Sequence, residues 1–267
     1  WRLLEPTTAA RVTAWGGYLL HQVAMWWLIW KAQQIRPRYG DNLHWFNWAA
    51  LGVNALFILL HTVQTHLWYG ALAEDVSIWS SQWSVIILLV MVVLMENKRR
   101  GLVFGKKVTA LHRAGEFVRH YHGFIFSWAV IYTFWYHPME ATQGHLIGFF
   151  YTFLLMLQAS LIFTRAHLNR WWTASLETLV LVHGTMVALI AGNGLWPMFA
   201  FGFGGIFVLT IVHGLPVPKW SRWAALGVYV ALAVWVYVQR GIQNIHQITW
   251  IPITYYASIF LLAGLIG

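Results

Sequence analysis

Cysteine is absent from the 267-residue chain. That excludes disulfides, iron–sulfur clusters, thiolate-ligated haem, zinc–thiolate sites and cysteine nucleophiles. Charge is scarce as well: Asp, Glu, Lys and Arg make up 9% of the residues, against roughly 25% in an average soluble domain. Such a chain cannot cover a water-facing surface, which excludes a soluble globular domain, a disordered chain and a fibrous rod. What fills the sequence is apolar, 59% hydrophobic and 17% aromatic, with a mean hydropathy of +0.59. The composition is that of an integral membrane protein. The first residue is Trp1 rather than methionine, which leaves room for an upstream segment.

A spanning helix needs about 20 mostly apolar residues. Windows of that kind with no charge, or almost none, fall at 12–30, within 45–72, within 76–95, at 121–139 and at 141–164. The charge-free run 178–218 is too long for one helix and is split by the turn-forming stretch Ala191 to Pro197. Windows at 223–239 and 249–267 complete the set. The expected fold is all-α, a single polytopic transmembrane bundle over 1–267 with about eight to nine spans. The window at 223–239 is the shortest.

Basic residues set orientation. Lys31, Arg36 and Arg38 follow the first window, and Lys98, Arg99, Arg100, Lys106, Lys107, Arg113 and Arg119 lie between the third and fourth. Arg165 and Arg170 follow the fifth, and Lys219 and Arg222 follow the seventh. These are fourteen of the 17 lysines and arginines, all in alternate loops. The pattern implies an N-terminus outside and basic loops in the cytoplasm, as in a bacterial inner membrane. It accounts for the net charge of +9 without nucleic acid. The polar segment 96–120 reads as a basic cytoplasmic loop with amphipathic character, facing anionic lipid. Tryptophans at helix ends, among them Trp26, Trp27, Trp30, Trp45 and Trp48, read as interfacial belts.

Thirteen histidines against eight acids form the one unusual chemical feature. On this topology His44, His112, His120, His122, His167 and His213 lie near the cytoplasmic face, and His66, His137, His145 and His246 near the outer face. His21, His61 and His183 lie within the hydrocarbon, where each needs a hydrogen-bond partner, a metal or water. On one helix, His122 and His137 are about 60° apart in direction and roughly 22 Å apart in height. His44 and His66, and likewise His145 and His167, are offset by about 40° at opposite ends of a span. Imidazoles at two depths on neighbouring helices suit a two-haem membrane cytochrome. The candidate ligands to haem b are His61, His122, His137, His145, His167, His183 and His213. Glycines after His122, His183 and His213 would let a flat macrocycle approach the backbone, although small residues also mark helix contacts.

Two alternatives stand beside that reading. His112, His120, His122, His167 and His213 could hold non-haem iron on the cytoplasmic face, as in a hydroxylase or desaturase acting on a lipid or hydrocarbon. Their spacing, however, is neither the HxxxH nor the HxxHH of such boxes. The other alternative is a non-catalytic scaffold or pigment-binding subunit of a larger membrane complex. A quinone or a redox protein is the expected partner of the first reading, and the lipid bilayer of all three.

With the sixth helix starting near Trp172, Glu177 is the only acid inside an expected span. An ionised carboxylate there requires a partner, and Arg170, on nearly the same helical face, is the expected one. Glu177 could otherwise serve as a metal ligand, an acid that orients one, or a proton relay. The chain has no P-loop, no GxSxG elbow, no HExxH pair, no DDxxD pair and no mid-span lysine for a retinal Schiff base,.

Overall fold

The computed structural model describes residues 2–266, and among them it contains nine α-helices and no strands. The helices are α1 (Thr8–Ile35), α2 (Trp45–Trp68), α3 (Ile78–Arg100), α4 (His112–Tyr136), α5 (Gln143–Ser160), α6 (Arg170–Ile190), α7 (Trp196–Leu209), α8 (Lys219–Arg240) and α9 (Trp250–Ile266). Helices are what a bilayer selects, because each satisfies its own backbone polar groups. The all-α expectation holds.

Six segments are long and apolar enough to cross a membrane: Trp45–Trp68, Ile78–Arg100, Arg170–Ile190, Trp196–Gly214, Lys219–Arg240 and Ile242–Ile266. They are what an integral membrane protein requires. α1, α4 and α5 fall short of that standard for physical reasons. α1 carries Gly16, Gly17, His21, Gln22 and four tryptophans, α4 opens on a charged turn, and α5 is 18 residues long with a glutamine near each end. The turn expected at Ala191 to Pro197 is present. α6 stops at Ile190, Gly192 and Gly194 take positive φ, and α7 starts with Pro197 in its first turn. α8 is longer than its charge-free window, since Lys219, Arg222 and Arg240 lie within its end turns.

The segment 96–120 is not one amphipathic helix. α3 runs to Arg100, Gly101 turns the chain at φ +76°, Val103 and Lys106 form a bridge, and α4 opens at His112. The Asn97 side chain stabilises this reversal by bonding both the N–H and the C=O of Val108, at 3.1 and 2.8 Å.

The chain packs as two compact units, Trp1–Leu88 with Tyr121–Asn169, and Leu89–His120 with Arg170–Gly267. Unit 1 contains α1, α2, α5, most of α4 and the first half of α3. Its core is aromatic, with Phe46, Phe134, Trp135 and Tyr136 almost fully buried. Trp135 has room only because residue 17 is glycine: a Cβ there would meet its ring at 2.2 Å. In unit 2, α7 supplies a glycine-lined surface. A Cβ on Gly202 would meet Ile251 at 2.8 Å, and Tyr229 lies against Gly204 and donates to Phe201 O at 3.0 Å.

Candidate functional site

α2 carries a buried polar stripe through unit 1. Asn47, Asn54 and His61 recur every seven residues on one face, and all three are buried. The period matches two helical turns, so they line up. Asn47 donates to the carbonyls of Ser160 and Ile162, at 2.7 and 2.9 Å. Asn54 donates to Ser160 Oγ at 2.9 Å and accepts from His21 Nε2 at 2.8 Å. The other nitrogen of His21 receives the Trp135 indole N–H at 3.3 Å, and the His21 ring stacks on Phe57 at 4.5 Å. His61 bonds Gln64 through Nδ1 at 3.0 Å and the carbonyl of His137 through Nε2 at 2.8 Å. Both deeply buried histidines of unit 1 thus spend both ring nitrogens on the protein. As packed, His61 presents no nitrogen to a metal.

Four other histidines meet as two pairs. The rings of His122 (α4) and His167 (the 3-10 turn after α5) have centroids 6.2 Å apart. Those of His137, just after α4, and His145 on α5 are 5.7 Å apart. All four belong to unit 1; His122 lies near the middle of α4 and His137 just past its C-terminal end. Three rings are oriented through Nδ1. His137 Nδ1 donates to Thr133 O at 3.0 Å, His167 Nδ1 to Gln158 O at 3.1 Å, and His145 Nδ1 lies 2.7 Å from Thr142 Oγ1. An Nδ1–H donated to a carbonyl fixes the tautomer and places the lone pair on Nε2, which is how ligating histidines are held. Burial, and secondarily the neighbouring His122, lowers the pKa of His167 to about 4, so the ring is neutral at physiological pH, the form that binds metals.

Separation provides a test of fit. A ligating imidazole nitrogen lies about 2 Å from its metal ion, so two rings gripping one ion from opposite faces have centroids roughly 6 Å apart. Both pairs have that spacing. Their surroundings are aromatic: Phe126 lies edge-on to His122 at 5.8 Å, and Phe149 stacks on His145 at 6.1 Å. Two rings at that separation are what an ion taking two protein ligands per centre would require.

The remaining candidates lie elsewhere. His112, His120, His183 and His213 belong to unit 2. His213 is edge-on to Phe104 at 5.8 Å. Among the described residues, no group of three or more His, Asp or Glu side chains is placed to hold one metal ion. The glycines after the histidines serve packing: Gly123 lies against Ile29, Gly184 against Phe203 and Phe199, and Gly214 against Arg100.

Glu177 has a different partner from the one expected. Arg100, 77 residues away at the end of α3, forms a two-pronged bond to it, Nη1 to Oε1 at 2.9 Å and Nη2 to Oε2 at 2.6 Å. The arginine side chain is 1% exposed and the glutamate 10%. Both carboxylate oxygens are engaged, which answers the need for a partner; Arg170 is not it. Beside the pair, Glu177, Phe203, Phe207 and Tyr255 line a narrow apolar crevice in unit 2.

Asn47, Asn54 and Ser160 were not among the candidates suggested by the sequence. The signal for the first two was their seven-residue spacing with His61 in an otherwise apolar helix. Comparison with protein families, curated proteins and solved structures finds no match for this chain.

Proposed function

We propose that unit 1 is a histidine-ligated electron-transfer module, a b-type cytochrome with one haem centre beside the middle of α4, at His122 and His167, and one past its C-terminal end, at His137 and His145. The observation that carries this reading is the pairing of His122 with His167 and of His137 with His145, with ring centroids 6.2 and 5.7 Å apart. A bis-histidine haem would draw two ligands from the protein, whereas non-haem iron and zinc sites draw on three or four. Two-ring sites therefore favour haem over a hydroxylase-type iron centre. His122 and His167 would hold one group, and His137 and His145 the other.

The bound haem would supply reversible one-electron chemistry. The protein's own residues do the rest. Thr133 and Gln158 orient the ligand rings through their carbonyls, and Thr142 does so through its hydroxyl. The phenylalanines exclude water. His21, Asn54 and the Asn47–Ser160 contact hold the helices in register. In this reading the chain crosses the membrane nine times, adding α1, α4 and α5 to the six most apolar segments, with its basic loops in the cytoplasm and the His122/His167 centre near them. A quinol or another donor would deliver electrons and a redox partner would accept them.

The test is haem stoichiometry in the full chain and its single-histidine variants. The account predicts two haems per chain, one lost in either His122→Ala or His167→Ala and the other lost in either His137→Ala or His145→Ala. Unchanged haem content in all four variants would overturn it.

A further inference from the structure

Two residues of α2 and the one that ends it grip the turn between α4 and α5. His61 Nε2 lies 2.8 Å from the carbonyl of His137, Thr65 Oγ1 accepts from the N–H of Met139 at 3.0 Å, and the Tyr69 hydroxyl donates to the Glu140 carboxylate. His61 and Thr65, four residues apart, share one face of α2, and Tyr69 follows at the left-handed residue just past its end; they meet residues 137, 139 and 140 in chain order. His61 and Thr65 are buried. Burial first, and the Glu140 carboxylate second, raise the pKa of the Tyr69 hydroxyl above its ordinary value, which keeps it a donor. His61 is further seated by Trp135, whose ring lies 4.2 Å away, and its neighbour Gln64 reaches Thr13 of α1 at 3.3 Å.

We infer that His61, Thr65 and Tyr69 form a positioning clamp: they fix the α4–α5 turn so that His137 and His145 face one another, and His61 acts through the His137 backbone rather than as a ligand. This rests on the proposed haem reading for its consequence, but not for its geometry. A free six-residue turn between two helices would let the rings drift apart. With two hooks on α2 and a third just past its end, the turn has a single arrangement. The Glu140 carboxylate lies 3.8 Å from His145 Nδ1, so the Tyr69 hook also steadies a charge beside the second ring.

Because the chain lacks cysteine, two introduced cysteines can report the turn alone. Spin labels at Leu67→Cys and Ala141→Cys, both exposed, measure the distance from α2 to the turn in the full-length protein. The clamp predicts a narrow distribution that widens at least twofold in His61→Leu and returns to near its original width in His61→Gln, whose amide can still donate to the carbonyl. In haem-loaded protein, His61→Leu should convert only the His137/His145 centre from low to high spin, leaving the other centre intact, and His61→Gln should restore it. Equal loss in His61→Gln and His61→Leu with an unchanged label distance would make His61 a ligand and overturn the clamp. An unchanged width and unchanged spectrum in His61→Leu would also overturn it. Should His61→Leu fail to fold, Thr65→Val and Tyr69→Phe each remove one hook and must each widen the distribution. If the unaltered protein binds no haem, the functional reading fails, while the label distances still decide the clamp.

Discussion

Arg100 and Glu177 place two opposite charges where water does not reach, so the pair is costly to break from one side. Removing one member of a buried pair leaves the other charge uncompensated and costs about 3–5 kcal/mol, whereas replacing both with apolar groups is often neutral. Glu177→Gln should therefore lower the thermal midpoint of the purified protein markedly, and the double variant Arg100→Met, Glu177→Leu should recover most of the loss. Equal destabilisation in the two variants would mean that the pair is not the source. His167 gives a pH signature. Its folded-state pKa of about 4 lies below its unfolded value of roughly 6.5, so the unfolded chain binds the proton more readily in between. The stability His167 confers is complete above about pH 6.5 and is lost as the pH falls toward 4. Thermal scans at pH 7.5 and pH 5 should show that loss, and His167→Gln should reduce it. An identical slope in the variant would refute the assignment. The partner of Glu177 was not legible in the sequence, because a local pattern offers Arg170 and contains no trace of a contact 77 residues distant.

At the scale of helices, the expected boundaries track charge and turn residues, and where those are strong the structure follows them. Gly192, Gly194 and Pro197 separate α6 from α7 as expected. Where a helix carries charges at its own end, a charge-free window underestimates it: α4 begins at His112 rather than near residue 121, because its first turns hold Arg113, Glu116 and Arg119. Helical periodicity could place His122 and His137 at two heights on α4, but not choose their partners, which come from α5 and the turn beyond it. The packing of α1 against α4 turns on one atom. In Gly17→Ala the new Cβ would lie 2.2 Å from Trp135, displacing a ring that donates to His21 and lies against His61. Overpacking of this kind costs about 1–3 kcal/mol. The variant should melt lower and show altered Trp fluorescence, whereas Gly16→Ala, which meets nothing within 4 Å, should match the parent. Because alanine favours a helix over glycine, comparable losses at both positions would show that contact with Trp135 is not the cause.

At the scale of the whole molecule, composition alone indicates a membrane protein, since a chain with 9% charged residues has too few to cover a water-facing surface. The division into two units was not legible, because hydropathy reports how each segment meets lipid and not which segments pack together. That division sorts the histidines. The two facing pairs belong to unit 1, together with His21 and His61, which serve its packing, while His112, His120, His183 and His213 belong to unit 2. Counting histidines could not make that distinction; the ring-to-ring pairing does. The central claim is that the pairs in unit 1 are haem ligands. The reduced-minus-oxidised absorption spectrum of the full-length protein, purified from haem-supplied cells, tests it most directly. Soret and α-bands amounting to two haems per chain are the predicted result, and a protein that is folded, pure and colourless would contradict it.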